Sequence, residues 1–135
     1  MSDFVLDTRL EADTFPLCEL ELCTIRLAKD ANYPWLIMIP KVAGIAELID
    51  LCGQDQHRLT DEIARISTAL QSVTQCDKLN VAALGNMVRQ LHIHVIARYE
   101  TDAAWPGPIW GVNPAADYET DKADELIEKI KNALG

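Results

Sequence analysis

The sequence predicts an α+β domain, and three observations carry that prediction. Residues 20–28, LELCTIRLA, alternate roughly in period two, whereas 35–40, WLIMIP, are apolar throughout. Leu59, Ile63, Ile66, Leu70 and Val73 step by four, three, four and three, the spacing of an amphipathic helix laid on a core. A closing segment, TDKADELIEKIKNALG, repeats the helical spacing. At 135 residues the chain is the size of one domain, long enough to bury roughly 70% of the surface its unfolded form exposes, so residues 1–135 are expected to form a single unit.

Taken in order, 20–28 sets Leu20, Leu22, Thr24 and Arg26 against Glu21, Cys23, Ile25 and Leu27, which suits a strand. KDANYP supplies the Asp, Asn and Pro of a turn. WLIMIP stops at Pro40 and reads as a central strand covered on both faces. Gly44 opens and Gly53 closes a short helix with Ile45, Leu48 and Ile49 on one side, and the long helix follows. KLNVAAL (78–84) is a strand broken at Gly85-Asn86, and 87–99 is a longer one, so the two form a hairpin. From Tyr99 to Tyr118 no periodicity survives. That loop holds Trp105, Trp110, two glycines and three prolines, and loops of its length in compact domains are functional or mobile. The last helix has acids in its first turn, lysines in its last, and Ala123, Leu126, Ile127, Ile130 and Leu134 along one face.

Hydrophobic residues make up 49% and charged ones 24%, proportions that exclude a disordered chain. The net charge of −9 argues against a general nucleic-acid or anionic-membrane binder, which needs a basic field. An anionic ligand must therefore be held by local donors. The first residues, MSDFVLDTRLEAD, carry acids where a signal peptide needs a basic start, and nowhere do 18 apolar residues run together. A cytoplasmic location is expected. Cys18, Cys23, Cys52 and Cys76 show neither CxxC pairing nor zinc-finger spacing and are expected as buried thiols rather than disulfides.

The chemistry concentrates in RQLHIHVIAR (89–98). On a strand, Gln90, His92 and His94 share one face while Leu91, Ile93 and Val95 share the other. Three readings stay open on the residues alone. The histidines could be hydrogen-bonded structural groups. They could chelate a metal, but a third and fourth ligand are wanting: His57 lies at the start of the long helix among polar residues, and no carboxylate is close on the same face. Or they are a catalytic pair. No metal and no cofactor is expected.

QLHIHVIAR, preceded by LNVAALGNMVR and followed by AWPGPIWG, resembles the histidine triad (HIT) superfamily, whose signature is H-φ-H-φ-H-φ-φ with φ apolar. NYPWLIMIPK resembles the superfamily strand that ends in a proline and a basic residue, and LGN its glycine turn. The resemblance covers about residues 15–111, including the PW and WPGP elements of a bacterial HIT-like subgroup. It implies a five-stranded antiparallel sheet with helices packed on it, joined to a second copy as a two-fold homodimer. It also implies hydrolysis or transfer at the α-phosphate of a nucleotide or dinucleoside polyphosphate.

Carried over by position, His92 matches the nucleophile and His94 the histidine that hydrogen-bonds the phosphate, while Gln90 stands where the first histidine belongs. The resemblance further implies Asn80 as a polar contact to phosphate, Trp105 with Pro106 beside the site, and Asp30 for a ribose hydroxyl. From the residues themselves, Asn86 and the amides of the Gly85-Asn86 turn are candidate donors to phosphate, and Arg98, which shares the histidine parity, is a candidate for a distal phosphate or a charge capping the strand end. A free imidazole titrates near 6.5, so its neutral form can attack phosphorus directly. The product is a nucleotidyl-histidine that water then opens. Each donor aimed at the phosphate oxygens contributes about 3 kcal/mol. Gln90 cannot transfer a proton at neutral pH, and Trp35 occupies the place of a further histidine in many relatives. The sequence therefore implies a nucleotide hydrolase or nucleotidyl transferase acting through His92, with a nucleotide-binding module of weak or lost catalysis as the alternative.

Overall fold

The computed structural model describes residues 3–135. A short helix α1 (Thr8–Ala12) leads into β1 (Thr14–Glu19), β2 (Cys23–Ala28) and β3 (Trp35–Pro40). A long helix α2 (Gly53–Thr74), the strands β4 (Lys78–Ala82) and β5 (Ile93–Arg98), and helix α3 (Lys122–Leu134) complete the chain. The strands make one five-stranded sheet in the order β1-β2-β3-β5-β4, and every neighbouring pair is antiparallel. This is the sheet that the resemblance implied.

Strand alternation divides the apolar residues between two faces. Ile25, Leu27, Leu36, Met38, Ile93 and Val95 pack with Ile66 and Leu70 of α2 and Ile130 of α3 in the principal core. Burying each such side chain stabilises by about 1.5–3 kcal/mol, so this face holds the fold. On the opposite face Arg26, Ile37, His94 and Ala82 line up across β2, β3, β5 and β4. Two smaller clusters cover that face: Leu10 on Ala28, Ile37 and Ile39 toward α1, and Tyr33, Ile96 and Ile109 under the long loop.

Within α2, Glu62 is buried and its carboxylate accepts the backbone N–H groups of Leu22 at 2.8 Å and Cys23 at 2.9 Å. These charge-assisted bonds tie the β1–β2 turn to the helix. α3 carries Asp124 and Glu125 in its first turn and Lys131 in its last, as its dipole favours.

Several expected elements differ. β1 carries Pro16 and an irregularity between Pro16 and Cys18, which hid its alternation; proline is tolerated because β1 is an edge strand. The strand expected from residue 20 begins at Cys23. The helix expected over 44–53 is only a 3₁₀ turn, Leu48–Asp50, because Gly44 sits at φ +73° and Glu47 and Leu51 are extended. The strand expected over 87–99 is confined to 93–98, so a loop of residues 83–92 joins the hairpin. In that loop the Leu91 amide bonds the Ile45 carbonyl outside any ladder. The four cysteines are free, but only Cys23 is buried; Cys52 is exposed and Cys18 and Cys76 are intermediate. Cys23 lies beside Glu62 in the core, where burial raises its thiol pKa.

Candidate active site

His92 ends the 83–92 loop and His94 sits in β5, on the face opposite the main core. Their ring centroids are 5.0 Å apart with the rings tilted by 74°. Both side chains are nearly buried, at 7% and 6% exposure. In such surroundings each ring nitrogen needs a partner or access to water.

One nitrogen of each ring is committed to the scaffold. Nδ1 of His92 lies 2.7 Å from the Gln90 carbonyl oxygen. A carbonyl only accepts, so Nδ1 carries the proton and the neutral ring keeps its lone pair on Nε2. The second ring is set the opposite way. The Trp35 indole N–H donates to Nδ1 of His94 at 3.0 Å. An indole only donates, so Nδ1 of His94 carries the lone pair and Nε2 carries the proton. Burial first, and His92 second, lower the His94 pKa to about 4, which keeps the ring neutral around pH 7. Trp110 meets the same ring edge-on at 5.2 Å.

Both imidazoles line a cleft of about 640 Å³. Its walls are largely apolar, with Leu10, Ala28, Ile37, Val88 and Ile109 among them, and its polar residues include Asp13, Lys29, Asp30, Asn86 and Asn113. That size and lining suit a ligand with one flat apolar part and a few polar groups. Gly85 lies on the rim at φ +75°, a conformation that favours glycine, and directs the loop past Asn86.

Of the residues singled out from sequence, the cleft gathers His92, His94, Asn86 and Asp30. Asp30 Oδ1 accepts from the Asn32 amide at 3.0 Å, the Asn32 side chain at 2.8 Å and the Ala116 amide at 3.2 Å, pinning the end of the long loop to the turn before β3. The other four lie elsewhere. Gln90 does not extend a row of three, because residue 90 precedes the strand; its side chain accepts from the Asp7 amide and donates to the Val5 carbonyl, each at 2.8 Å. Arg98 is buried and bound to Asp102 and Asn80, which consumes the side chains expected at phosphate. Trp105 packs over the Arg98 guanidinium at 5.7 Å, and Trp110 rather than Trp105 is the tryptophan against His94.

Sequence reasoning missed the part played by Trp110, and for Trp35 it implied a place beside the histidines but not the N–H donated to His94. Trp35 is paired with Ile96 across β3 and β5, and its ring reaches the neighbouring His94. Alternation on WLIMIP places Trp35 and Ile37 on one face, a signal that pointed to this contact once β3 was set beside β5.

The HIT domain family model matches residues 9–101. No match is found among curated proteins. Among solved structures, a histidine triad protein from Bradyrhizobium japonicum is 43% identical, with a TM-score of 0.96 over 98% of both chains. A histidine triad protein from Sinorhizobium meliloti is 43% identical, with a TM-score of 0.95 over 97% of both. One from Marinobacter aquaeolei is 44% identical, with a TM-score of 0.93 over 97% of this chain and 96% of that one. The sequence match and the sheet that carries His92 and His94 agree: the chain belongs to the histidine triad (HIT) family.

Proposed function

We propose that this protein is a nucleotide hydrolase or nucleotidyl transferase that works at an α-phosphate through His92. The observation that carries the reading is that Nδ1 of His92 faces a carbonyl whereas Nδ1 of the adjacent His94 faces an indole N–H, partners that assign a lone pair to His92 Nε2 and an N–H to His94 Nε2. A phosphate seated between them meets a nucleophile and an oxyanion donor together. Nε2 of His92 forms a bond to phosphorus, the bond to the leaving group breaks with its electron pair, and the Gln90 carbonyl stabilises the imidazolium through Nδ1–H. Water then displaces the histidine.

In this reading Asn86 and the amides around Gly85 hold phosphate oxygens, Asp30 accepts from a ribose hydroxyl and the apolar walls take a base; all of them line the cleft. Arg98, Asn80, Trp105 and the Gln90 side chain serve as scaffold in this reading. The role of Gln90 at the centre is its main-chain carbonyl.

The protein is read as one domain acting as a cytoplasmic homodimer. Among the described residues no helix is long and apolar enough to cross a membrane. β4 is an edge strand; Val81, Leu84 and Met87 on and after it are exposed, as are Leu48 and Ile49, which share a hollow with Leu84. An edge with this much apolar surface is suited to pairing with a second copy.

The direct test is to mix the protein with nucleoside polyphosphates and dinucleoside polyphosphates, quench with base and map modified peptides by mass spectrometry. A nucleotidyl group on His92, absent from the His92→Ala variant, is expected. Saturable nucleotide binding with neither adduct nor turnover would leave a binding module instead.

A further inference from the structure

An amine or alkoxide expelled from phosphorus needs a proton as it leaves, whereas a phosphate expelled from an anhydride departs as an anion. Among the described residues, the titratable side chains lining the cleft are Asp13, Lys29, Asp30, His92 and His94. His92 has its proton on Nδ1, directed at the Gln90 carbonyl and away from the bond being broken. His94 is a neutral ring whose Nε2–H can donate a hydrogen bond but not a proton near pH 7. A second proton would have to enter at Nδ1, where the Trp35 N–H already points.

The remaining groups do not make up the deficit. Lys29 has its ammonium drawn over the Phe15 ring at 5.0 Å, and Phe15 packs against the core on the helix-covered face. Asp13 and Asp30 are carboxylates, and Asp30 Oδ1 already takes three N–H groups. Gln90 has its amide on Val5 and Asp7. We infer that this centre works without a general acid and turns over only nucleotides whose leaving group departs as an anion, discriminating against phosphoramidates and alkyl esters.

The inference rests on His92 being the nucleophile, as proposed above. The proton balance then closes. In the first step His92 Nε2 bonds to phosphorus and the leaving oxygen keeps the P–O electron pair. In the second, water bonds to phosphorus, the P–N pair returns to Nε2 to restore a neutral imidazole, and the proton of water goes to solvent. Neither step draws on an acid of the protein.

The test uses the wild-type protein and one nucleoside 5′-phosphoryl group attached to different leaving groups: a series of phenols of graded acidity, an amine in the phosphoramidate, and a nucleotide in the dinucleoside polyphosphate. Rates are expected to fall nearly tenfold for each unit rise in phenol pKa, and the anhydride to exceed the phosphoramidate by at least about 100-fold, the factor a general acid ordinarily supplies. A flat phenol series, or a phosphoramidate cleaved as fast as the anhydride, with the His92 adduct still formed, overturns the acid-free centre alone. No turnover and no adduct with any member overturns the assignment of His92, and this inference with it.

Discussion

His94 and Arg98 lie on the same face of β5 and both are buried, yet their polar atoms are spent in opposite ways. Arg98 gives Nε and Nη2 to Asp102 at 2.7 and 3.0 Å and Nη1 to Asn80 at 2.8 Å, with Tyr33 and Trp105 each 5.7 Å from its guanidinium carbon. Asp102 further accepts from the amides of Tyr99, Ala104 and Trp105. The Arg98–Asp102 hydrogen bond lowers the Asp102 pKa and raises that of Arg98, and it locks the start of the long loop. The two histidines each give one nitrogen to the scaffold and keep one for the cleft. Burial of a polar side chain therefore does not mark a site on this strand. Hydrogen-bonding capacity left over beside a cavity does.

The comparison is broken most directly by exchanging the fates of the two clusters. His92→Ala is expected to lower turnover by about 10³-fold or more, because it removes the proposed nucleophile, with a smaller effect on denaturant midpoint than loss of Arg98. Arg98→Met is expected to cost about 3–5 kcal/mol in urea unfolding, since it strands the Asp102 carboxylate in the interior. Equal losses of turnover in the two variants at temperatures where both stay folded would erase the distinction.

pH sharpens it further. The His94 pKa falls from 6.5 to about 4 on folding, so between those values the unfolded chain binds more protons than the folded one. The stabilisation is complete above pH 6.5 and is lost as pH falls toward 4, by on the order of 3 kcal/mol. Subtracting the stability profile of His94→Gln isolates this slope from those of the carboxylates.

Trp35→Phe keeps the ring but removes the N–H that fixes His94. It is expected to reduce kcat by about tenfold with less change in KM, and to shift the acidic limb of the pH profile. Smallest of all, Gln90→Ala keeps the carbonyl that holds His92 and loses two bonds to the N-terminal segment, for about 1–2 kcal/mol of stability and less effect on turnover than Trp35→Phe.

Much of this division was legible in the sequence, in unequal measure. Period-two alternation located β2, an unbroken apolar run located β3 and helical spacing located α2, since each pattern follows from the faces these elements bury. β1 escaped because Pro16 and the nearby irregularity interrupt its alternation. The histidine face was readable from H-x-H parity, but Gln90 was set in the same row by extending that parity through residues whose backbone bonds lie outside the sheet. Arg98 shares the histidine parity, and nothing local announces that Asp102 will fold back onto it. Trp35 and Trp110 reach His94 from β3 and the long loop, contacts that depend on strand order and loop path and so lie beyond local spacing.

Long-range ¹H–¹⁵N NMR of the imidazole nitrogens at neutral pH is the most direct test of the central claim. The prediction is a proton on Nδ1 of His92 and on Nε2 of His94, with the other nitrogen of each ring bare. A bare Nδ1 on His92, or a proton on Nδ1 of His94, would contradict it.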